Sequence, residues 1–236
     1  MTAATVRPLL VAETFTSTVQ GEGPSLGQQA TFVRLSRCNL SCPRCDTPYT
    51  WDTSRYDLRT QSRRLLPAEV TDWVLSTSAD LVVITGGEPL LQQAGVTPVV
   101  VALAQAGRRV EIETSGTVVP RDELAAAVRG FNVSPKLASF AAPADMIRRI
   151  NPAALAALTA TGKAAFKFVA TNINDLDEIS ELVDQFGLAP VWVMPEGTDP
   201  TVVLDRMRLL AGPVIERGWN LTTRLHILLW GDLRGR

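Results

Sequence analysis

Three cysteines, Cys38, Cys42 and Cys45, are the only ones in the 236-residue chain, and all fall within one stretch of eight residues. That clustering constrains the chain more than any other feature. A disulfide framework spreads an even number of cysteines along a sequence, so an odd trio in one loop reads as a metal or cluster site in a reducing compartment. The spacing is C-x3-C-x2-C. Ordinary four-iron clusters take four cysteine ligands. With three, one iron is left open to an external ligand, and a small molecule with an amine and a carboxylate could chelate it. A structural zinc site is the alternative, with His226, the only histidine, as fourth ligand. Structural zinc sites usually pair their cysteines in two C-x2-C-like turns, and this loop does not.

The rest of the composition is that of a globular protein able to build a core without disulfides. Scaling laws give a folded surface of roughly 10,000 Å², with about 72% of the unfolded surface buried. Hydrophobic residues make up 46% and charged residues 20%, which excludes disorder and collagen-like repeats. The 23 Lys and Arg nearly balance 24 Asp and Glu, for a net charge of −1. Nothing in that balance points to nucleic acid or an anionic membrane. No stretch approaches the ~20 apolar residues of a membrane helix. Over Met1 to Glu13 the one apolar run, Leu9 to Ala12, is too short for a signal-peptide core. The expectation is a cytoplasmic protein of one domain spanning residues 1–236.

Short apolar runs alternate with helical patterns. Candidate parallel strands are Thr31 to Ser36, Leu81 to Ile84, Val110 to Ile112, Phe131 to Val133, Ala165 to Val169 and Val191 to Met194. Helices are expected from Pro67, over Gln92 to Gln105, Asp122 to Val128 and Asp175 to Phe186, and after Asp199. In the Asp175 helix, Leu176, Ile179, Leu182, Val183 and Phe186 form one face, with Asn174 as its cap and Gly187 as its end. Asp199 and Pro200 make an N-cap and first-turn pair. This alternation implies βαβ units and a parallel sheet, as an open doubly wound sheet or an incomplete barrel. Val11 to Phe15 and Leu225 to Leu229 are candidate extra strands. Thr53 to Arg64 reads as a polar surface excursion, with Arg55, Arg59, Arg63 and Arg64 as a solvated face.

The cysteine loop directly follows the first parallel strand, where active sites of such folds lie. A second element, Thr85-Gly-Gly-Glu-Pro89, directly follows the second strand. Its glycines suit a backbone that must approach a ligand closely. Phe32, Arg34 and Ser36 share one strand face, and Val33 and Leu35 the other. Trp51 reads as a packing residue, and His226 as a packed or hydrogen-bonded core histidine.

The C-x3-C-x2-C loop and the Gly-Gly-Glu-Pro segment resemble the radical S-adenosylmethionine superfamily. Within it, Thr18-Val-Gln-Gly-Glu-Gly23, Phe32-Val-Arg34, Cys45-Asp-Thr47, Glu113-Thr-Ser-Gly116 and Val133-Ser-Pro-Lys136 resemble the 7-carboxy-7-deazaguanine synthases. The resemblance covers most of the chain. It implies an incomplete (β/α)6 TIM-like barrel, a homodimer, a [4Fe-4S] cluster, S-adenosylmethionine and Mg²⁺. The implied reaction is a radical ring contraction of 6-carboxy-5,6,7,8-tetrahydropterin with release of ammonia, in 7-deazapurine (queuosine-type) biosynthesis. An electron donor such as flavodoxin would reduce the cluster. A glycyl-radical activating enzyme with a protein substrate, or a non-enzymatic zinc-stabilised binding module, are the alternatives.

By that resemblance Cys38, Cys42 and Cys45 are cluster ligands and Thr47 a Mg²⁺ ligand. Val19, Gln20, Gly21, Arg34 and Thr85 match substrate contacts, Arg34 facing the substrate carboxylate. A planar guanidinium suits such a group. Cofactor contacts match Arg44, Cys45, Asp46 and Gly87, then Ser115 after the third strand and Ser134, Pro135 and Lys136 after the fourth. Met194, Pro195, Glu196 and Gly197 follow the sixth. Arg44 departs from the superfamily, which often has an aromatic there; a guanidinium plane can stack on adenine in its place.

Overall fold

The computed structural model describes residues 7–236. The first six positions of the Met1 to Glu13 stretch, and the targeting expectation that rests on them, lie outside the described residues. Six parallel strands carry the fold: β2 (Gln29–Leu35), β4 (Leu81–Gly86), β5 (Arg109–Thr114), β6 (Gly130–Val133), β7 (Ala164–Ala170) and β8 (Val191–Pro195). They coincide with the six candidate strands. β1 (Leu9–Val19) pairs antiparallel with β2, and β3 (Arg63–Leu65) antiparallel with β1. β9 (Asn220–Leu221) extends the other edge, parallel to β8. The order is β3-β1-β2-β4-β5-β6-β7-β8-β9, a sheet that does not close on itself. The incomplete (β/α)6 barrel holds, and the doubly wound alternative falls away.

Helices α1 (Pro67–Leu75), α2 (Gln93–Gln105), α3 (Asp122–Ala127), α4 (Pro152–Ala160), α5 (Asp175–Phe186) and α6 (Pro200–Glu216) follow the strands in turn. The sheet alternation decides which side chains meet them. Val33, Leu35, Val82, Ile84, Val110, Ile112, Phe166, Phe168 and Val193 pack with Val74, Val100, Leu158, Ile179 and Leu210 in one outer core. The opposite face holds Phe32, Leu81 and Val83 in a small apolar floor with Phe15 against it. Above that floor the interior turns polar.

Three expectations need correction. Asn174 does not cap α5: it is itself helical, and its side chain makes no cap bond. Instead the Asp175 carboxylate accepts from Thr171 N at 2.6 Å and Thr171 Oγ1 at 2.8 Å, fixing the turn before the helix. Gly187 ends the helix at φ 61° as expected. The run from Leu225 is a helix, α7 (Leu225–Trp230), not a strand. β9 already occupies the edge beside β8, and α7 fully buries Ile227 alone. Finally, the 53–64 excursion rejoins the sheet at its end, because Arg63 and Arg64 pair with Val11 and Leu10. Their side chains, with those of Arg55 and Arg59, are exposed as expected. The Asp199 cap is present, accepting from Thr201 N at 2.8 Å and Val202 N at 3.1 Å.

β1 carries an irregularity that matters for the interior. Val11 faces Leu35, yet Glu13 faces Arg34, so two residues of β1 oppose one of β2. Period-2 alternation would put Val11, Glu13 and Phe15 on one face. The bulge flips the register: Val11 stays in the outer core, while Phe15 stacks on Phe32 inside, with ring centroids 4.7 Å apart.

Phe166 is fully buried in the outer core. Phe166→Ala is expected to lower unfolding free energy by about 3–5 kcal/mol, read from the denaturant midpoint. A loss below about 1 kcal/mol would mean that the sheet and helices do not share that core.

Candidate active site

A cavity opens at the C-terminal ends of the parallel strands, and all three cysteines line it. Cys42 is buried and Cys38 and Cys45 half-buried; all are free thiols. The loop that carries them is tightly tied. Arg37 takes a left-handed φ of 82° as the chain leaves β2. Its N–H donates to Thr50 O at 2.7 Å, and Ser36 Oγ donates to the same oxygen at 3.0 Å. Ser41 donates through N at 2.6 Å and Oγ at 2.7 Å to the buried Asp145 carboxylate. Two donors reach sulfur: Leu40 N to Cys38 Sγ at 3.4 Å, and Trp51 Nε1 to Cys45 Sγ at 3.3 Å. Trp51 is therefore a hydrogen-bond donor to the Cys45 sulfur on the cavity wall, not only the packing residue expected.

Burial pushes the Cys38 thiol up to about 12 and raises Cys42 as well. Isolated thiolates are disfavoured there, whereas a bound cationic iron deprotonates a coordinating thiol outright. Three thiols in one half-buried loop, with N–H donors aimed at sulfur, fit an iron–sulfur cluster. Among the described residues no group of three or more His, Cys, Asp or Glu converges to hold a single metal ion. His226 sits instead against Gly21, where a Cβ on Gly21 would lie 2.1 Å from His226 Nδ1. It lines the cavity rather than the core, half-buried, and burial lowers its pKa.

The Gly-Gly-Glu-Pro segment buttresses the cysteine loop. A Cβ on Gly86 would meet Leu35 O at 2.2 Å, and one on Gly87 would meet Arg37 O at 2.1 Å. Gly87 N donates to Leu35 O at 3.1 Å and Glu88 N to Arg37 O at 2.8 Å. What the glycines permit here is close approach of backbone to backbone. Glu88 is fully buried. Its carboxylate accepts from Leu90 N at 3.1 Å, Thr114 Oγ1 at 2.8 Å, Ser115 N at 2.8 Å and Ser115 Oγ at 2.5 Å. One carboxylate thus locks the ends of β4 and β5 together.

Polar side chains fill the interior. Gln20 Nε2 donates to Glu113 Oε1 at 3.0 Å. Glu22 takes the Lys167 ammonium on one oxygen and Arg224 Nε, at 3.2 Å, on the other. Arg224 also pairs with Asp46 and donates to Gly197 O at 2.7 Å. Burial pushes the Glu22 carboxyl up, but Lys167, Arg224 and His226 outweigh it and hold it well below the usual range. Lys167 and Arg224 are raised in turn: burial opposes their charge, and the facing carboxylates more than offset it. The motif reading included Glu113 but gave it no role, and it missed Asn132, Lys167 and Arg224 as cavity residues. Lys167 did leave a signal, a lone charge between Phe166 and Phe168 in an otherwise apolar strand.

Arg34 lines the cavity as strand alternation requires. Val19, Gln20, Gly21 and Thr85 line it too, as do Arg44, Asp46, Thr47 and Gly87. Further round are Ser115, Ser134, Lys136, Met194 and Glu196. Pro135, Pro195 and Gly197 do not line it. All three are buried between neighbours that do line it, and the Gly197 carbonyl is spent on Arg224.

Comparison with known proteins gives concordant results. Residues 33–167, more than half of the chain, match the Radical SAM superfamily. A 7-carboxy-7-deazaguanine synthase of Pyrobaculum aerophilum is 36% identical over 96% of this chain and 96% of its own. One from Hyperthermus butylicus is 36% identical over 97% of this chain and 95% of its own. A crystal structure of QueE from Escherichia coli superposes with a TM-score of 0.72 at 25% identity, over 93% of this chain and 95% of that one. The chain belongs to the 7-carboxy-7-deazaguanine synthase family. For a member of that family, the tightly held cysteine loop and the glycine buttress are two halves of one support.

Gly87→Ala is expected to prevent stable iron loading after anaerobic reconstitution, read as iron per chain and visible absorbance. Gly212, with open space around its Cβ position inside α6, is the control; Gly212→Ala should load normally and gain about 0.5–1 kcal/mol in stability. Normal loading in Gly87→Ala would refute the buttress. The second expectation concerns acid. Glu22 is depressed from its ordinary 4.5, so its contribution is complete above pH 4.5 and fades as pH falls through its folded value. Glu22→Gln should cost about 3–5 kcal/mol at neutral pH, because it leaves the buried Lys167 without its carboxylate and takes one of the two carboxylates from Arg224. Its stability should also fall less steeply below pH 4.5 than the wild type's.

Proposed function

We propose that the chain catalyses the radical ring contraction of 6-carboxy-5,6,7,8-tetrahydropterin to 7-carboxy-7-deazaguanine with loss of ammonia, a step in 7-deazapurine (queuosine-type) biosynthesis. The observation that carries this is the sharing of one cavity by three cysteine thiols, the Arg34 guanidinium and the Gln20–Glu113 pair. When bound, the [4Fe-4S] cluster and S-adenosylmethionine supply a hydrogen-abstracting radical, chemistry that no side chain offers.

The chain's own part is holding, orienting and shielding. Cys38, Cys42 and Cys45 hold the cluster. Gly87, Ser115, Ser134, Lys136, Met194 and Glu196, with Asp46 and the exposed Arg44, form the wall that receives S-adenosylmethionine. Lys136 donates to Ser134 Oγ at 3.0 Å, which keeps both side chains at the wall. Gln20 and Glu113 offer paired donor and acceptor groups to the edge of a flat ring, with Val19 and Gly21 beside them. Thr85 adds a hydroxyl. Arg34 meets the substrate carboxylate, and among the described residues only its Nε is engaged in a hydrogen bond. Mg²⁺ is assigned to Thr47 through a single hydroxyl. The neighbouring Asp46 is taken by Arg224, so waters and substrate oxygens would complete that site.

The same reading includes one domain over 1–236, a homodimer, a cytoplasmic setting and an electron donor such as flavodoxin. One sheet running from Leu9 to Leu221 supports the single domain, and three free thiols suit a reducing compartment. Among the described residues no helix is long and apolar enough to cross a membrane. A protein substrate, as for a glycyl-radical activating enzyme, would not need Arg34 or the Gln20–Glu113 pair.

Anaerobic turnover with 6-carboxytetrahydropterin, S-adenosylmethionine and a reductant tests the proposal. Formation of 7-carboxy-7-deazaguanine is expected. An intact cluster that yields 5′-deoxyadenosine but no such product would sink the substrate assignment. Arg34→Ala should raise KM on the order of a hundredfold by removing a charge-assisted fork, with iron content unchanged.

A further inference from the structure

The β1 bulge does more than bring Phe15 inside. It turns Glu13 inward, directly opposite Arg34. Glu13 Oε2 accepts from Arg34 Nε at 3.3 Å and from Tyr49 Oη at 3.1 Å. Its other oxygen accepts from Arg234 Nε at 3.0 Å. Arg234 lies over the Tyr49 ring, 3.8 Å from its centroid. One carboxylate therefore ties together β1, β2, the chain just beyond the cysteine loop and the C-terminal segment. The Arg34 guanidinium is also braced from beneath, 5.7 Å from the Phe15 ring centroid. Nε is its one nitrogen with a hydrogen bond among the described residues. Both terminal nitrogens are left for a ligand.

We propose that Glu13 is a positioning residue for carboxylate recognition. By fixing Nε it sets the plane of the Arg34 guanidinium, so that its two Nη groups present a ready fork to the cavity. A guanidinium held in plane loses less entropy on binding than a mobile one. Bulges commonly re-aim side chains next to active sites, and without this one Glu13 would point to the outer core. The inference rests on the reading of Arg34 as the substrate-carboxylate ligand.

The test is equilibrium binding to the reconstituted, S-adenosylmethionine-loaded protein. Two ligands are compared: 6-carboxytetrahydropterin and tetrahydropterin lacking the carboxylate. Glu13→Ala is expected to weaken the carboxylated ligand on the order of tenfold and leave the other unchanged. Combined with Arg34→Ala it should add nothing to the single Arg34 change. Glu13→Gln, which keeps acceptor capacity at Nε, should restore most of the affinity, and it also serves if the alanine variant does not fold. Equal weakening of both ligands would mean general structural support and would overturn the inference. So would wild-type affinity in both Glu13 variants while Arg34→Ala still loses carboxylate discrimination; that result would leave the functional reading intact. If Arg34→Ala itself binds both ligands as the wild type does, the Arg34 assignment fails, and Glu13 has nothing to position.

Discussion

Two glycines pressed against a neighbouring backbone hold this site together. Gly86 and Gly87 lie on the main chain of Leu35 and Arg37 so closely that no Cβ fits. The contact fixes the take-off of the cysteine loop from β2, which has just passed through a left-handed Arg37. Glu88 extends the support by locking the ends of β4 and β5 through four hydrogen bonds. Loop residues are ordinarily the mobile part of a parallel α/β protein. Here three strand ends are bound to one another before any ligand arrives, and the sulfurs sit on the result.

The second support is electrostatic. Glu22, Lys167, Arg224 and Asp46 come from the turn after β1, from β7, from the chain after β9 and from the cysteine loop. Lys167 and Arg224 are buried and Glu22 nearly so, and each would be costly to bury alone, whereas Asp46 stays exposed at the rim. Together they link the open edge of the sheet to the cysteine loop at the cavity. Because Arg224 bridges Glu22 and Asp46, the position of the residue next to Cys45 depends on a side chain almost at the end of the chain. This arrangement explains how a sheet that stops short of closure can still present a defined interior.

The parts visible in the sequence were those written locally. Six apolar runs predicted six parallel strands, and the apolar stripe of Asp175 to Phe186 gave the buried face of its helix. Cys38, Cys42 and Cys45 announced themselves by spacing alone. The parts that were not visible depend on partners far along the chain. Nothing near Arg224 says that it meets Glu22, 202 residues away. The bulge in β1 has no glycine to mark it, so the inward turn of Glu13 emerges only from its pairing with β2. Leu225 to Trp230 is apolar enough for a strand, and only the prior claim of β9 on the sheet edge makes it a helix. Asn174 has the residue type and place of a cap, but the side chain that fixes the start of this helix is that of Asp175, one residue on, which binds back to Thr171.

Electron paramagnetic resonance of the anaerobically reduced protein, with and without S-adenosylmethionine, most directly tests whether three sulfurs leave one iron open. The account predicts a reduced four-iron signal that shifts when S-adenosylmethionine is added and disappears when any one of the three cysteines is replaced by alanine. A cluster signal indifferent to S-adenosylmethionine, or a reconstituted protein that binds zinc and no iron, would contradict it.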